Sequence, residues 1–282
     1  MKISRFAISI LYTFLLAGCS TASVERSTAV SATGKAYVET LKNVNELALD
    51  KSIEFTANLL PNLPRTESVL EEQTKAIKER TLLIGNAHEF LEGLASYFSG
   101  LEALAKGDQS EATAKALGQV ADSLKAEPVE LKLSEEKKKA ITGLSGFVAK
   151  KIHAAAVEKA LVRDADTVAQ AIAISEKLLD EQIQWIRLRE VAERKKNYNE
   201  KVKGPFIIAG NQLGSDWKKA WSDEVRTPPV IALLYEAKKA SGEMQKAWID
   251  ILRGQYSYAE IQSTLNNVKA GIESISALKD AK

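Results

Sequence analysis

The chain has 282 residues, 39 Lys and Arg against 37 Asp and Glu, and a formal net charge of +2 at pH 7. A nucleic-acid binder would carry a clear basic excess, so that class is disfavoured. Fifteen glycines and six prolines are few for this length, and Ala, Leu, Lys and Glu dominate, the composition of long helices rather than of a sheet.

Lys2 and Arg5 open the chain, and an apolar stretch follows from Phe6 to about Leu16. It is shorter than the ~20 residues a membrane-spanning helix needs. A cationic start, a short apolar core and small residues at its end describe a secretory signal peptide. Leu16-Ala17-Gly18-Cys19 then resembles the lipobox of bacterial lipoproteins. The resemblance covers only this N-terminal part and leaves the remainder without a recognised family. It implies removal of residues 1–18 and acylation of Cys19 by diacylglycerol and a further acyl chain such as palmitate. Two or three acyl chains hold firmly, since each buried CH₂ contributes about 0.8 kcal/mol. Ser20 stands where many inner-membrane lipoproteins carry aspartate. The resemblance therefore implies a lipid anchor in the outer membrane, facing the periplasm.

Cys19 is the only cysteine, so the remaining chain has no thiol for a disulfide, a metal or a nucleophile. Without Lys2 and Arg5 the chain holds 37 basic and 37 acidic residues and is formally neutral. Residues 19–33, rich in Ser, Thr and Ala, read as the acylated cysteine and a flexible tether. Residues 34–282 read as one helical domain.

Helical spacing starts at Lys35, with Tyr37, Leu41, Val44 and Ala48 on one face, and Pro61 and Pro64 end the element. The next helix is expected from about Arg65 to Lys106. Its stripe, Leu83, Ala87, Phe90, Leu94, Tyr97, Leu101 and Leu104, alternates steps of four and three as a coiled-coil seam does, and Leu91 and Phe98 widen it. Gly107 stops it. A short helix is expected over 109–125, and the loop at 126–133 is the best candidate for an internal boundary. Ser134 then caps a helix that contains Ile141, Gly143, Gly146 and Ile152.

A break is expected at Asp164 to Asp166, with Asp166 capping a helix over 167–202 that is lined by Val168, Ile172, Leu179, Ile183 and Ile186. Lys203-Gly204-Pro205 reads as a strong terminator. Phe206 to Gly210 alone has strand-like character and is too short to build a sheet. Ser215 is expected to cap a short helix to Arg226, another helix spans 230–253, and Ser257-Tyr258-Ala259-Glu260 is a capping box for the last. The expectation is an all-α, elongated multi-helix bundle with long amphipathic helices.

No pattern carries chemistry. His88 and His153 lack the Glu-x-x-His spacing of di-iron bundles, and His88-Glu89 has no second zinc-protease histidine. Gly34-Lys35 is not a phosphate loop, and Gly143-Leu144-Ser145-Gly146 is one residue short of a nucleophile elbow. No enzyme, cofactor or metal site is expected. Trp217 and Trp221 share a helix face, and Tyr256 and Tyr258 flank the last cap. These four are the candidate partner-binding residues, because exposed aromatics dominate interface energetics. The leading expectation is a non-enzymatic, lipid-anchored interaction or scaffold module that binds a protein. The alternatives are a membrane-active, pore-forming-like protein using Ile141 to Ala149, and a receptor with a small-ligand pocket between helices.

Overall fold

The computed structural model describes residues 5–107, 115, 118–119, 121–122, 155–208, 213–226, 229–253 and 257–280, and side chains from Val24 onward, those of 155, 156, 158, 229 and 278–280 apart. Among them there is no strand. The helices are α1 (Arg5–Leu59), α2 (Glu67–Ala105), α3 (Ala155–Asn197), α4 (Gly204–Ile208), α5 (Ser215–Val225), α6 (Pro229–Arg253) and α7 (Tyr258–Asp280). A 3₁₀ turn, Leu60–Asn62, follows α1, and a π-helical turn, Tyr198–Lys203, joins α3 to α4. The expected all-α bundle is what forms, with α1, α2, α3, α6 and α7 packed together.

Side-chain links set the helix directions. Gln182 Nε2 donates to Asn45 Oδ1 at 2.5 Å and Asn58 Nδ2 to Glu193 Oε1 at 3.1 Å, so α1 and α3 run parallel. Lys35 meets Glu102 at 3.3 Å and Lys42 meets Glu92 at 3.2 Å, which makes α2 antiparallel to α1. Arg187 reaches Tyr235, Lys238 pairs with Asp180, and Trp248 Nε1 donates to the Ala165 carbonyl at 3.0 Å, so α6 is antiparallel to α3. The bundle therefore has a near end, where α1 enters and α6 meets α7, and a far end, where α1 and α3 finish.

Burial follows the apolar periods. Tyr37, Leu41, Val44 and Ala48 of α1 and all five residues of the α3 stripe are buried. Near the near end Trp248, Tyr97 and Phe98 form an edge-to-face trio with centroids 6.1 to 6.2 Å apart, a geometry in which ring edges meet ring faces favourably. Thr66 caps α2 by accepting from the Val69 N–H, and Gly107, at φ 112°, closes it. The capping box at α7 forms in both directions: Ser257 N–H donates to Glu260 Oε2 at 2.6 Å, and Glu260 N–H donates to Ser257 Oγ at 3.3 Å.

Five expectations are corrected. Residues 19–33 are not a loose tether: α1 runs through them, and Ser27, Val30, Ser31 and Thr33 are buried, because small side chains allow close helix approach. α3 does not break at Asp164. That carboxylate is buried, and the Arg163 guanidinium meets it at 2.6 and 2.7 Å, so the charge is neutralised without a cap. Gly204-Pro205 does not end the α3 rod. The π turn pairs Gly204 N–H with Asn199 O, five residues back, and this wider register relieves the clash a proline makes with the carbonyl four residues before it. Phe206 to Ile208 are then helical rather than strand-like. Ser215 is the first residue of α5, and Gly214 holds the N-cap position with no side-chain bond. The expected boundary at 126–133, the helix after Ser134, the Ile141 to Ala149 segment, His153 and Tyr256 lie outside the described residues.

Candidate functional site

Two features distinguish the far half of the bundle. The first is a lobe built by the π turn, α4 and α5, which continues α3 beyond the start of α6. Within it Trp217 Nε1 donates to the Val202 carbonyl at 2.9 Å. Phe206 stacks on Trp217 with centroids 5.6 Å apart, and Trp217 stacks on Trp221 at 6.5 Å and 12°. At its base the Arg194 guanidinium donates to the carbonyls of Glu224 and Arg226 and pairs with Glu190 at 2.6 Å. Burial pushes the Glu190 carboxyl above its ordinary range while Arg194 pulls it down. Arg194 thus latches the end of α5 to α3.

The lobe leaves large apolar side chains uncovered. Ile208 is 83% exposed, Ile207 69%, Phe206 62% and Trp221 49%, and Val225 and Tyr198 are exposed beside them. Leu188 and Val191 extend this surface down the outer face of α3. There they line a shallow groove of about 380 Å³ with Ile183, Gln184 and Arg187.

The second feature is a cationic pair on an indole. The guanidinium carbons of Arg80 and Arg189 lie 4.2 and 3.4 Å from the ring centroid of Trp185. Arg80 is buried, and its Nε and Nη2 have no hydrogen-bond partner. Burial, aided by the Arg189 charge and opposed by Glu181, brings its pKa down to about 10. Arg80 is therefore still charged at neutral pH. The indole face supplies the attraction that a carboxylate would otherwise provide.

The candidate residues read from sequence do not form one site. Trp217 and Trp221 are together at the far end. Tyr258, exposed at the start of α7, lies at the near end and accepts from Gln262 Nε2 at 2.8 Å. Trp185 sits on the side of the bundle, and Trp248 is core. His88 is half-buried between α1 and α2, its Nε2 3.3 Å from the Lys42 carbonyl and its Nδ1 3.7 Å from Glu46. The sequence reading missed Phe206, Ile207, Ile208, Leu188 and Val191 as surface. For Leu188 and Val191 a signal was present: they fall opposite the Leu179, Ile183, Ile186 stripe of α3.

Among the described residues no group of three or more His, Cys, Asp or Glu could hold a metal ion. No described helix is long and apolar enough to cross a membrane. The chain matches no protein-family model, no curated protein and no solved structure.

Proposed function

We propose that this protein is a non-enzymatic interaction and scaffold module of the bacterial envelope, held in the outer membrane by acyl chains on Cys19 and facing the periplasm. One observation carries the reading: apart from Val162, the exposed large apolar side chains of α3 to α5 lie in the far half of the bundle, while Cys19 lies on α1 at the near end. The α3 rod with its π turn and α4 spans residues 155–208, about 80 Å at 1.5 Å per residue. A rigid rod with an anchor at one end and an apolar contact surface at the other suits holding a protein partner at a set distance from a membrane. The outer face of α3, with Leu188 and Val191, is the surface assigned to that protein.

The test is cross-linking in cells followed by mass spectrometry, comparing the native chain, Cys19→Ser and Leu188→Asp. The expected result is a reproducible protein partner that is lost or reduced in both variants, with acyl labelling lost only in Cys19→Ser. Absence of any reproducible partner, or a partner indifferent to both substitutions, sinks the scaffold reading.

A further inference from the structure

The cationic pair on Trp185 has no part in the scaffold reading. Trp185 and Arg189 are four residues apart and share a face of α3, and α2 brings Arg80 to the same ring. A guanidinium over an indole uses its face, and its N–H donors point outward in its own plane. The ring offsets part of the charge but supplies no acceptor oxygen. Arg80 is only 8% exposed, and its Nε and Nη2 are left with nothing to donate to. Arg189 is half-buried on the same indole.

Charge is the second observation. Among the described residues neither guanidinium is ion-paired with a carboxylate. Glu181 is the acid whose charge acts on Arg80, and it does not outweigh burial and the Arg189 charge. Burial lowers the pKa of Arg189 with no acid opposing it. Two like charges thus share one ring between α2 and α3. Methionine or leucine would cover Trp185 without that cost. Unused donors and two positive charges stand at one place, and a group with several acceptor oxygens and two negative charges answers both. A carboxylate carries one charge and fills one guanidinium fork. A phosphate group carries close to two at neutral pH and has oxygens for both arginines.

We propose that Arg80 and Arg189, stacked on Trp185, form a binding site for a dianionic phosphate group, borne by free phosphate or by a phosphate monoester. N–H donors of both guanidinia bind its oxygens, so the anion bridges α2 and α3. It enters from the side of Arg189, the more exposed of the two. The indole holds both cations in place before the anion arrives, which lowers the ordering cost of binding. This goes beyond the scaffold reading and depends neither on acylation of Cys19 nor on the α3 groove.

The test uses the full chain carrying Cys19→Ser, so that no acyl chain contributes. Isothermal titration calorimetry at fixed ionic strength compares inorganic phosphate, glycerol phosphate and acetate, and tryptophan emission follows the ring. The expected result is saturable binding of phosphate with a Kd of about 1 mM or tighter, with acetate several-fold weaker. Arg80→Met and Arg189→Met each weaken phosphate binding about tenfold or more, with the parent's helicity by circular dichroism. Should Arg80→Met fail to fold, Arg189→Met, at a half-buried position, carries the same reading. Trp185→Phe abolishes the emission change. Glycerol phosphate binding more tightly than phosphate assigns a monoester and the reverse assigns the free ion, and either supports the site. No saturation by about 10 mM phosphate overturns the proposal. Binding that both arginine variants share with the parent overturns it too, as does an emission change that survives in Trp185→Phe. Acetate as tight as phosphate removes the dianion and the proposal with it. Arginine-dependent co-sedimentation with phosphatidylglycerol vesicles, whose phosphodiester is a monoanion, together with no phosphate binding, assigns the pair to a lipid surface and also overturns it. The cross-linking of Leu188→Asp is read independently, so loss of the phosphate site and loss of the protein partner remain separate results.

Discussion

Tyr37 of α1 donates its hydroxyl hydrogen to Ser241 Oγ of α6 at 2.8 Å, between positions 204 residues apart in the chain and with both side chains buried. Ser241 in turn donates to the Ala237 carbonyl at 2.9 Å. Burial raises the Tyr37 phenol well above its ordinary range. The Ser241 bond works against that rise, the nearby Glu176 charge adds to it, and Ser175 opposes it. The phenol therefore stays protonated and remains a donor throughout the range in which the protein would be handled. Tyr37→Phe keeps the ring and removes one buried bond, and is expected to cost about 1 kcal/mol. Tyr37→Ala also empties a core site and is expected to cost about 3–5 kcal/mol. Urea unfolding followed by circular dichroism separates the two. A Phe variant as stable as the parent would show that the bond contributes nothing net.

Two helical glycines are expected to respond to alanine with opposite signs. A Cβ on Gly34 would stand 2.7 Å from three carbons of the Phe98 ring, which is fully buried. Alanine is favoured over glycine inside a helix by about 1 kcal/mol. At Gly34 the overpacking, about 1–3 kcal/mol, outweighs that gain, and the unfolding midpoint should fall. A Cβ on Gly85 would meet nothing within 4 Å, so Gly85→Ala should gain about 0.5–1 kcal/mol. Midpoints moving in the same direction would contradict the close approach of α1 to Phe98.

The same contacts explain what could be read from the sequence and what could not. The period of α2 is visible in its residues, yet the buried set includes Ile84 and Leu91, whereas Leu83 and Phe90 are only partly buried. A stripe wide enough to face both α1 and α3 contains two alternative seams one position apart, and periodicity alone does not choose between them. The Ser-Thr-Ala run before Gly34 reads as a linker because it lacks large apolar side chains. Those small side chains are also what a tightly packed helix needs. Asp164 reads as a break because a buried carboxylate is costly, and its neutraliser, Arg163, is the adjacent residue whose orientation no pattern reveals. Gly204-Pro205 reads as a stop because the usual terminator logic assumes the i→i+4 register, which the π turn abandons. At the lobe, the four-residue spacing of Trp217 and Trp221 predicts a shared face. The exposure of Phe206 to Ile208 follows from the lobe projecting past the start of α6, a tertiary fact with no local signature.

Arg80 offers a test of how a buried charge is tolerated. With two nitrogens lacking partners and only an indole beneath it, the guanidinium is poorly compensated, and replacing such a charge with an apolar side chain of similar length is often neutral or stabilising. Arg80→Met should keep the packing on Trp185 and change stability at pH 7 by between zero and a gain of about 1 kcal/mol. The sign with pH follows from a base whose folded pKa lies below its unfolded one: the penalty is fully present at neutral pH and fades as pH rises past about 10. Any advantage of the Met variant should shrink in the same direction. A loss above about 1 kcal/mol at pH 7 would mean that the stacking on Trp185 is worth more than the desolvation it opposes.

Asp250 should show the mirror-image behaviour of an acid. It is buried three residues before the end of α6, where the helix dipole disfavours an anion. Burial raises its carboxyl above the ordinary range. Lys246 and Arg253 pull it down, and Glu260 and Glu243 push it up. The folded state thus prefers the protonated form. That contribution to stability is complete below the ordinary value of 3.8 and is lost as pH climbs through the folded value. Asparagine resembles the protonated acid, so Asp250→Asn should be more stable than the parent at pH 7 by about 0.3–1 kcal/mol. The difference should close as pH falls toward 3.8. Urea midpoints of the two chains at neutral and acid pH measure it. A difference that does not change with pH would assign the effect to packing, and a variant weaker at pH 7 would show that the carboxylate makes an ionic contact stronger than its burial cost.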